Sequence, residues 1–144
     1  MMHSMAEAGR SRQAATVLEQ SMRRELKLLD IRPRHTFSPG IYAREITIPA
    51  GTLVIGMIHK YPQMNILSQG VLTILMEDRV RVIQSPYTVV SPAGTKRAAY
   101  AYTQCVWTTI LATEETDIAK IESHFVCDTD EAFLEHCRYR LSHT

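Results

Sequence analysis

The sequence predicts an all-β core with one α-helix before it and a shorter one after it. Between residues 41 and 112, short runs rich in β-branched and aromatic residues recur roughly every ten residues. Turn-forming residues separate these runs. Apolar residues spaced by three and four occur only in the flanks, so no helix interrupts the strands and a parallel βαβ sheet is excluded.

The first flank reads as a helix from Ser11 to Asp30. Ala15, Leu18, Met22, Leu26 and Leu29 form one narrow stripe, Ser11 can cap the start, and Pro33 stops any continuation. Charged residues cover the rest of its surface, so it packs by one face only, on the barrel or on a second copy of the chain. The strand runs are "IYAREITI", "TLVIGMIH", "VLTILM", "VRVI", "YTVV" and "CVWTTILA". Pro49-Ala50-Gly51, Ser68-Gln69-Gly70, Glu77-Asp78, Ser85-Pro86 and Pro92-Ala93-Gly94 supply the turns. The second flank is acidic from Thr113 and then helical. Asp128 with Glu131 reads as a reciprocal N-cap, and Phe133, Leu134, Cys137 and Leu141 give the helix one apolar face. The chain thus divides into a helix and linker (1–40), a barrel (41–112) and an acidic segment with a helix (113–144), within one structural domain.

A chain of 144 residues with 45% hydrophobic and 22% charged residues can bury a real core. No apolar run approaches the ~20 residues that span a bilayer, and "MMHSMAEAGRSRQ" lacks the apolar centre of a secretory signal. Three cysteines without C-x-x-C spacing argue against a disulfide framework or zinc knuckle, so a cytoplasmic, reducing location is expected. The net charge of +1 is unevenly spread: bases outnumber acids before residue 113, and acids then dominate to residue 131. No basic stripe with interleaved aromatics appears, which points away from nucleic acid and towards matching between segments or subunits.

The stretch "GMIHKYPQMNILSQG", followed by "PYTVVSPAGTKRAAYA", resembles the two motifs of the cupin superfamily. The resemblance covers about residues 40–112. It implies a cupin-type double-stranded β-helix, a jelly-roll barrel, with an N-terminal and a short C-terminal α-helix. Pro92 and Gly94 match the second motif, while Pro86 stands where the family opens it with glycine. The family's metal ligands are two histidines and a glutamate in the first motif and a histidine in the second. Here His59 falls on the first histidine, Tyr61 on the second, Asn65 on the glutamate and Arg97 on the last histidine; Ala101 replaces the closing asparagine. "GIYAREI", "SPAGTKR" and "VWTTI" also resemble small cupin-like proteins of phages and prophages, which implies a host-cell cytoplasm.

One imidazole, a phenol and a carboxamide are a poor set for a transition metal, and a guanidinium repels one. No cofactor is therefore expected, with a divalent metal as the weaker expectation. Strand alternation puts His59, Met57, Ile55 and Leu53 on one face, and Arg97, Ala99 and Ala101 on another. An inward Arg97 needs a buried carboxylate, such as Glu45, or an anionic ligand. A solvent-facing Arg97 is the plainer reading and is slightly favoured, with His59 as a hydrogen-bonded structural residue and Asn65 bonding local backbone before a turn. Tyr100, Tyr102 and Trp107 are expected in the core or an interface, and Cys105 as a small buried hydrophobe.

The leading expectation is a non-catalytic cupin that binds a small anionic or nucleotide-like ligand, or a protein partner, through His59, Tyr61, Asn65, Arg97 and Trp107. The first alternative is a metal-dependent or acid–base cupin enzyme of the isomerase, epimerase or dioxygenase class. The second is a virion or assembly component. Apolar helix stripes and unprotected strand edges point to a homodimer or higher homo-oligomer.

Overall fold

A computed structural model describes residues 5–25, 31–75 and 80–144 of the chain. Its elements are α1 (Met5–Glu25), β1 (Arg34–Ser38), β2 (Ile41–Ile48), β3 (Leu53–Ile55), β4 (Ile58–His59), β5 (Gln63–Gln69), β6 (Val71–Leu75) and β7 (Val80–Gln84). After these come β8 (Tyr87–Ser91), β9 (Ala98–Ala101), β10 (Cys105–Ala112), α2 (Ile118–Phe125), β11 (Val126–Cys127) and α3 (Asp130–Ser142). One sheet has the order β1-β2-β10-β5-β8, the second β3-β9-β6-β7, and β11 pairs with β4. All pairs are antiparallel. Leaving aside the edge strand β1, the order β2-β10-β5-β8 against β3-β9-β6-β7 is a double Greek key. This is a jelly-roll topology.

The two longest runs, "IYAREITI" and "CVWTTILA", form β2 and β10 with the predicted bounds, because eight residues of alternation fix both strand and register. "TLVIGMIH" divides into β3 and β4 at Gly56 and Met57. That break removes the expected common face: Met57 is exposed, Val54 is the β3 residue packed on the core, and Ile58 is fully buried. The sheets also take strands from outside 41–112, since β1 pairs with β2 and β11 with β4.

Inward residues of both sheets make the main core: Ile48, Leu67, Leu72, Ile74, Ile83, Val89, Ala99, Ala101, Cys105 and Trp107. Cys105 is the small buried residue expected, its thiol pKa raised by burial. Tyr100 and Tyr102 instead have exposed side chains. Between β5 and β10 the register steps: Val106 faces Gln69 while Trp107 faces Leu67, which leaves Ser68 as one extra residue on β5. Gly70, just beyond, has φ of 94°, and a Cβ there would lie 2.2 Å from the Gln104 carbonyl oxygen. Only glycine fits that approach.

Helix α1 begins at Met5, so Ser11 lies inside it rather than capping it. Leu26 and Leu29 lie outside the described residues. Among the described side chains of α1, Ala8, Arg12 and Ala15 are buried, while those of Leu18 and Met22 lie outside the described ones. Arg12 is the fastening: its Nη1 donates to the Gly94 carbonyl at 3.0 Å, its Nε to Asp130 Oδ1 at 2.5 Å, and its guanidinium stands 4.8 Å from the Phe133 ring centroid. A Cβ on Gly94 would collide with both Arg12 and Phe133, so the turn glycine makes room for both helices.

The acidic segment contains a helix that was not expected, α2, capped by Asp117 through the Lys120 amide at 3.2 Å. In α3 the cap is Thr129, one residue later than the Asp128–Glu131 pairing, with its hydroxyl accepting from the Ala132 amide at 3.1 Å. Of the anticipated apolar face of α3, Phe133 is buried, whereas Leu134 and Leu141 are exposed. No described helix is long and apolar enough to cross a membrane.

Candidate functional site

Strand register arranges the inward side chains of the five-stranded sheet in rows. Ile46, Trp107, Leu67 and Tyr87 lie abreast, then Arg44, Thr109, Asn65 and Val89, then Tyr42, Leu111, Gln63 and Ser91. The first row is apolar apart from the Tyr87 hydroxyl. The next two bring polar groups into the barrel.

Asn65 is at the centre of this change. It is fully buried in the middle of β5, not before a turn. Its Nδ2 donates to Ser91 Oγ at 3.1 Å, and its Oδ1 accepts from Thr109 Oγ1 at 2.8 Å. Ser91 Oγ also accepts from Arg97 Nη2 at 2.5 Å. Arg97 therefore points into the barrel, and the solvent-facing reading is overturned. Arg97 stands in the β8–β9 connection, just before the buried Ala98, Ala99 and Ala101 of β9. The guanidinium carbon lies 6.0 Å from the Trp107 ring centroid, at the outer limit of a cation–π contact.

No carboxylate pairs with Arg97 among the described residues, so the expected alternative partner, Glu45, is not one. Burial, reinforced by the charge of Arg81 and opposed by Tyr87, lowers the Arg97 pKa to about 10. It remains a cation at neutral pH. Arg81 is itself held by Tyr87, donating to the phenol oxygen at 3.1 Å.

His59 contributes from the opposite side. Burial first, then the charges of Arg44 and Arg97, lowers its pKa to about 4, so the imidazole is neutral at pH 7. Its backbone is tied to the Pro-Ala-Gly turn: the His59 amide donates to the Thr95 carbonyl at 3.0 Å, and the Gly94 amide donates to the His59 carbonyl at 2.7 Å. Three buried polar atoms here lack any partner: His59 Nδ1, Gln63 Oε1 and Arg97 Nε. Buried polar atoms are nearly always satisfied, so these three leave hydrogen-bonding capacity in the interior that no described protein group meets.

Of the residues singled out in the sequence, His59, Asn65, Arg97 and Trp107 converge on this interior. Tyr61 does not. It stacks on His124 at 5.1 Å and meets His136 edge-on at 5.2 Å, outside the barrel among the C-terminal helices. Arg44, Gln63, Ser91 and Thr109 belong to the chamber and were not anticipated. Alternation along β2 could have found Arg44, which shares its parity with Tyr42, Ile46 and Ile48.

A cupin-type metal does not fit this donor set. The oxygen of Asn65 is occupied by Thr109, Tyr61 lies outside, and Arg97 places a fixed cation where a ligand would stand. His59 alone is a suitable donor, and no group of three or more His, Cys, Asp or Glu side chains gathers among the described residues.

Among solved structures, the chain is similar to an acetylacetone dioxygenase from Acinetobacter johnsonii, with 15% identity over 57% of this chain and 59% of that one and a TM-score of 0.47. It spans less than two thirds of that enzyme's length. A cupin-2 domain containing protein from Shewanella frigidimarina is 16% identical over 70% of this chain and 98% of its own, with a TM-score of 0.47. A cupin superfamily protein from Desulfitobacterium hafniense is 13% identical over 61% and 82%, with a TM-score of 0.49. The sequence matches no protein-family model and no curated protein.

Proposed function

We propose that this jelly roll is a non-catalytic binding protein whose barrel interior holds a small anion. The supporting observation is the inward Arg97 guanidinium, joined to the Ser91–Asn65–Thr109 network and matched by no carboxylate among the described residues. A desolvated cation without a counter-charge is costly, and a ligand that supplies the charge offsets that cost. Arg44, on the adjacent polar row, adds a second positive charge. The orphaned Gln63 Oε1 is an acceptor, so the ligand carries a hydrogen-bond donor as well as its anionic group. A hydroxy-acid or a phosphorylated hydroxyl compound has this chemistry. Trp107 supplies a flat apolar wall and neutral His59 a further hydrogen bond.

Thermal melting in the presence of phosphate and a series of hydroxycarboxylates tests the reading. At least one anion is expected to raise the Tm of the wild type and to lose its effect in Arg97→Ala and Arg44→Ala. No stabilisation by any of them, with Arg97→Ala behaving as wild type, would overturn it.

We propose a phage or prophage origin and a host-cell cytoplasm as its setting, on the resemblance of "GIYAREI", "SPAGTKR" and "VWTTI" alone. Association between copies is the further part of the reading. Phe37, Ile41 and Met64 are exposed on the five-stranded sheet, and Val80 and Val82 on the edge strand β7. Solution scattering is expected to give a mass above one chain, and a strict monomer would remove this part.

A further inference from the structure

Outside the barrel, a cleft of about 640 Å³ opens between α2, α3 and the turn that follows β4. It is brought together by the β4–β11 pairing, which sets Val126 opposite His59 and so carries both C-terminal helices against residues 60 and 61. The Lys60 amide adds a bond to the Phe125 carbonyl at 2.7 Å.

The cleft is cationic. Lys60 Nζ donates to the Ser123 carbonyl at 2.8 Å, which fixes the ammonium and leaves two of its three N–H groups for another acceptor. Lys120 stands on the exposed side of α2. Arg140 lies over the Tyr61 ring, 5.4 Å from its centroid, at the edge of the same cluster. His136 Nε2 is buried with no partner. Burial, Lys60, Arg140 and His124 together hold the His136 pKa below its ordinary value, so the ring is neutral at pH 7 and can turn an N–H towards an acceptor. One carboxylate lines the cleft among the described residues, Asp117, and its Oδ1 already accepts the Lys120 amide as the cap of α2.

Two ammonium groups, a guanidinium held on Tyr61 and an orphaned imidazole nitrogen outweigh the single Asp117 carboxylate and select against a metal cation. The patch is one compact hollow rather than a stripe, which does not suit a nucleic-acid backbone. Lysines act as mobile point charges and suit a tetrahedral oxyanion with several acceptor oxygens.

We propose that this cleft is a second anion site, separate from the barrel interior, that takes inorganic phosphate or a phosphate monoester, with Lys60, Lys120 and His136 as its donors. Imidazole resonances of His136 and His124 followed during titration with inorganic phosphate provide the test. A saturable shift at both rings is expected in the wild type. Lys60→Met weakens the apparent affinity about tenfold, as loss of one charge-assisted bond does. Lys120→Met, at an exposed position that does not endanger the fold, weakens it several-fold, roughly half the effect of Lys60→Met on a logarithmic scale. Arg97→Met, which removes the interior guanidinium, leaves the His136 response in place. No saturable shift in the wild type, an equal response in both lysine variants and the wild type, or loss of the response in Arg97→Met alone would each overturn the proposal. The last outcome would place the phosphate inside the barrel.

Discussion

The two halves of the barrel interior are built on the same strands yet solve opposite problems. In one half, Ile48, Leu67, Leu72, Ile74 and Ile83 fill space with apolar surface, and Trp107 stands where this half meets the other. In the other, further along β2, β5, β8 and β10, Arg44, Asn65, Ser91 and Thr109 place polar groups in the interior, joined by Arg97 from the β8–β9 connection. The first half holds the sheets together. The second is tolerated because the first does so, and it concentrates unmet hydrogen-bonding capacity in one place.

Mutation can separate the two roles. Leu67→Ala removes a fully buried side chain from the apolar half and is expected to cost about 2–5 kcal/mol in chemical denaturation, while the protein that remains folded keeps its anion affinity. A drop in affinity as large as the drop in stability would show that the halves are not separable.

The acid limb of stability is expected to come next. The His59 pKa is near 4 in the folded chain against 6.5 when unfolded, so the unfolded state takes up the proton first. Stability contributed by this group is complete above pH 6.5 and is lost as the pH falls towards 4, by about 3 kcal/mol at most. His59→Gln should flatten that part of the profile relative to wild type. An anion bound beside His59 should flatten it too, by raising the imidazole pKa. Parallel profiles for the wild type and His59→Gln would remove His59 from the polar half.

Asn65→Ala deletes the centre of the network and leaves Thr109 Oγ1 without its acceptor. A loss of about 1–3 kcal/mol is expected by thermal or chemical melting, with weakened anion binding. The smallest stability effect should come from Arg97→Met. Replacing a buried cation that has no carboxylate partner among the described residues by an apolar chain of similar length is expected to leave the ligand-free protein within about 1 kcal/mol of wild type, or more stable, while abolishing anion binding inside the barrel. Strong destabilisation of the ligand-free Arg97→Met protein would mean that the guanidinium is structural.

What was legible in the sequence follows the same division. β2 and β10 were readable end to end because their alternation is long and apolar. β5 was not: "QMNILSQ" has polar residues at both ends, and an asparagine near a serine and a glycine reads as a turn. Asn65 meets partners 26 and 44 residues away, so no local spacing announces its role. The direction of Arg97 was hidden for a related reason, since its partners Ser91 and Trp107 are not read from the strand pattern around it. The short β9 and β11 and the helix α2 escaped notice because small residues, a two-residue pairing and an acidic approach carry little periodic signal. His136 and Lys60 are far apart in sequence, and only the pairing of β4 with β11 makes them neighbours.

Ser68, the extra residue between Gln69 and Leu67, gives the chamber a grammar of insertions and deletions. Every residue from Gln63 to Leu67 owes its inward or outward direction to counting by two from that point. Deleting any single residue of Met64, Asn65 or Ile66 would shift the parity of one end of β5 relative to the other, exposing a leucine or expelling the asparagine. Deleting Ser68 itself would leave 63–67 in phase and charge the difference to the turn at Gly70. Length variation in this fold is therefore expected to collect at the bulge and to spare the five residues before it.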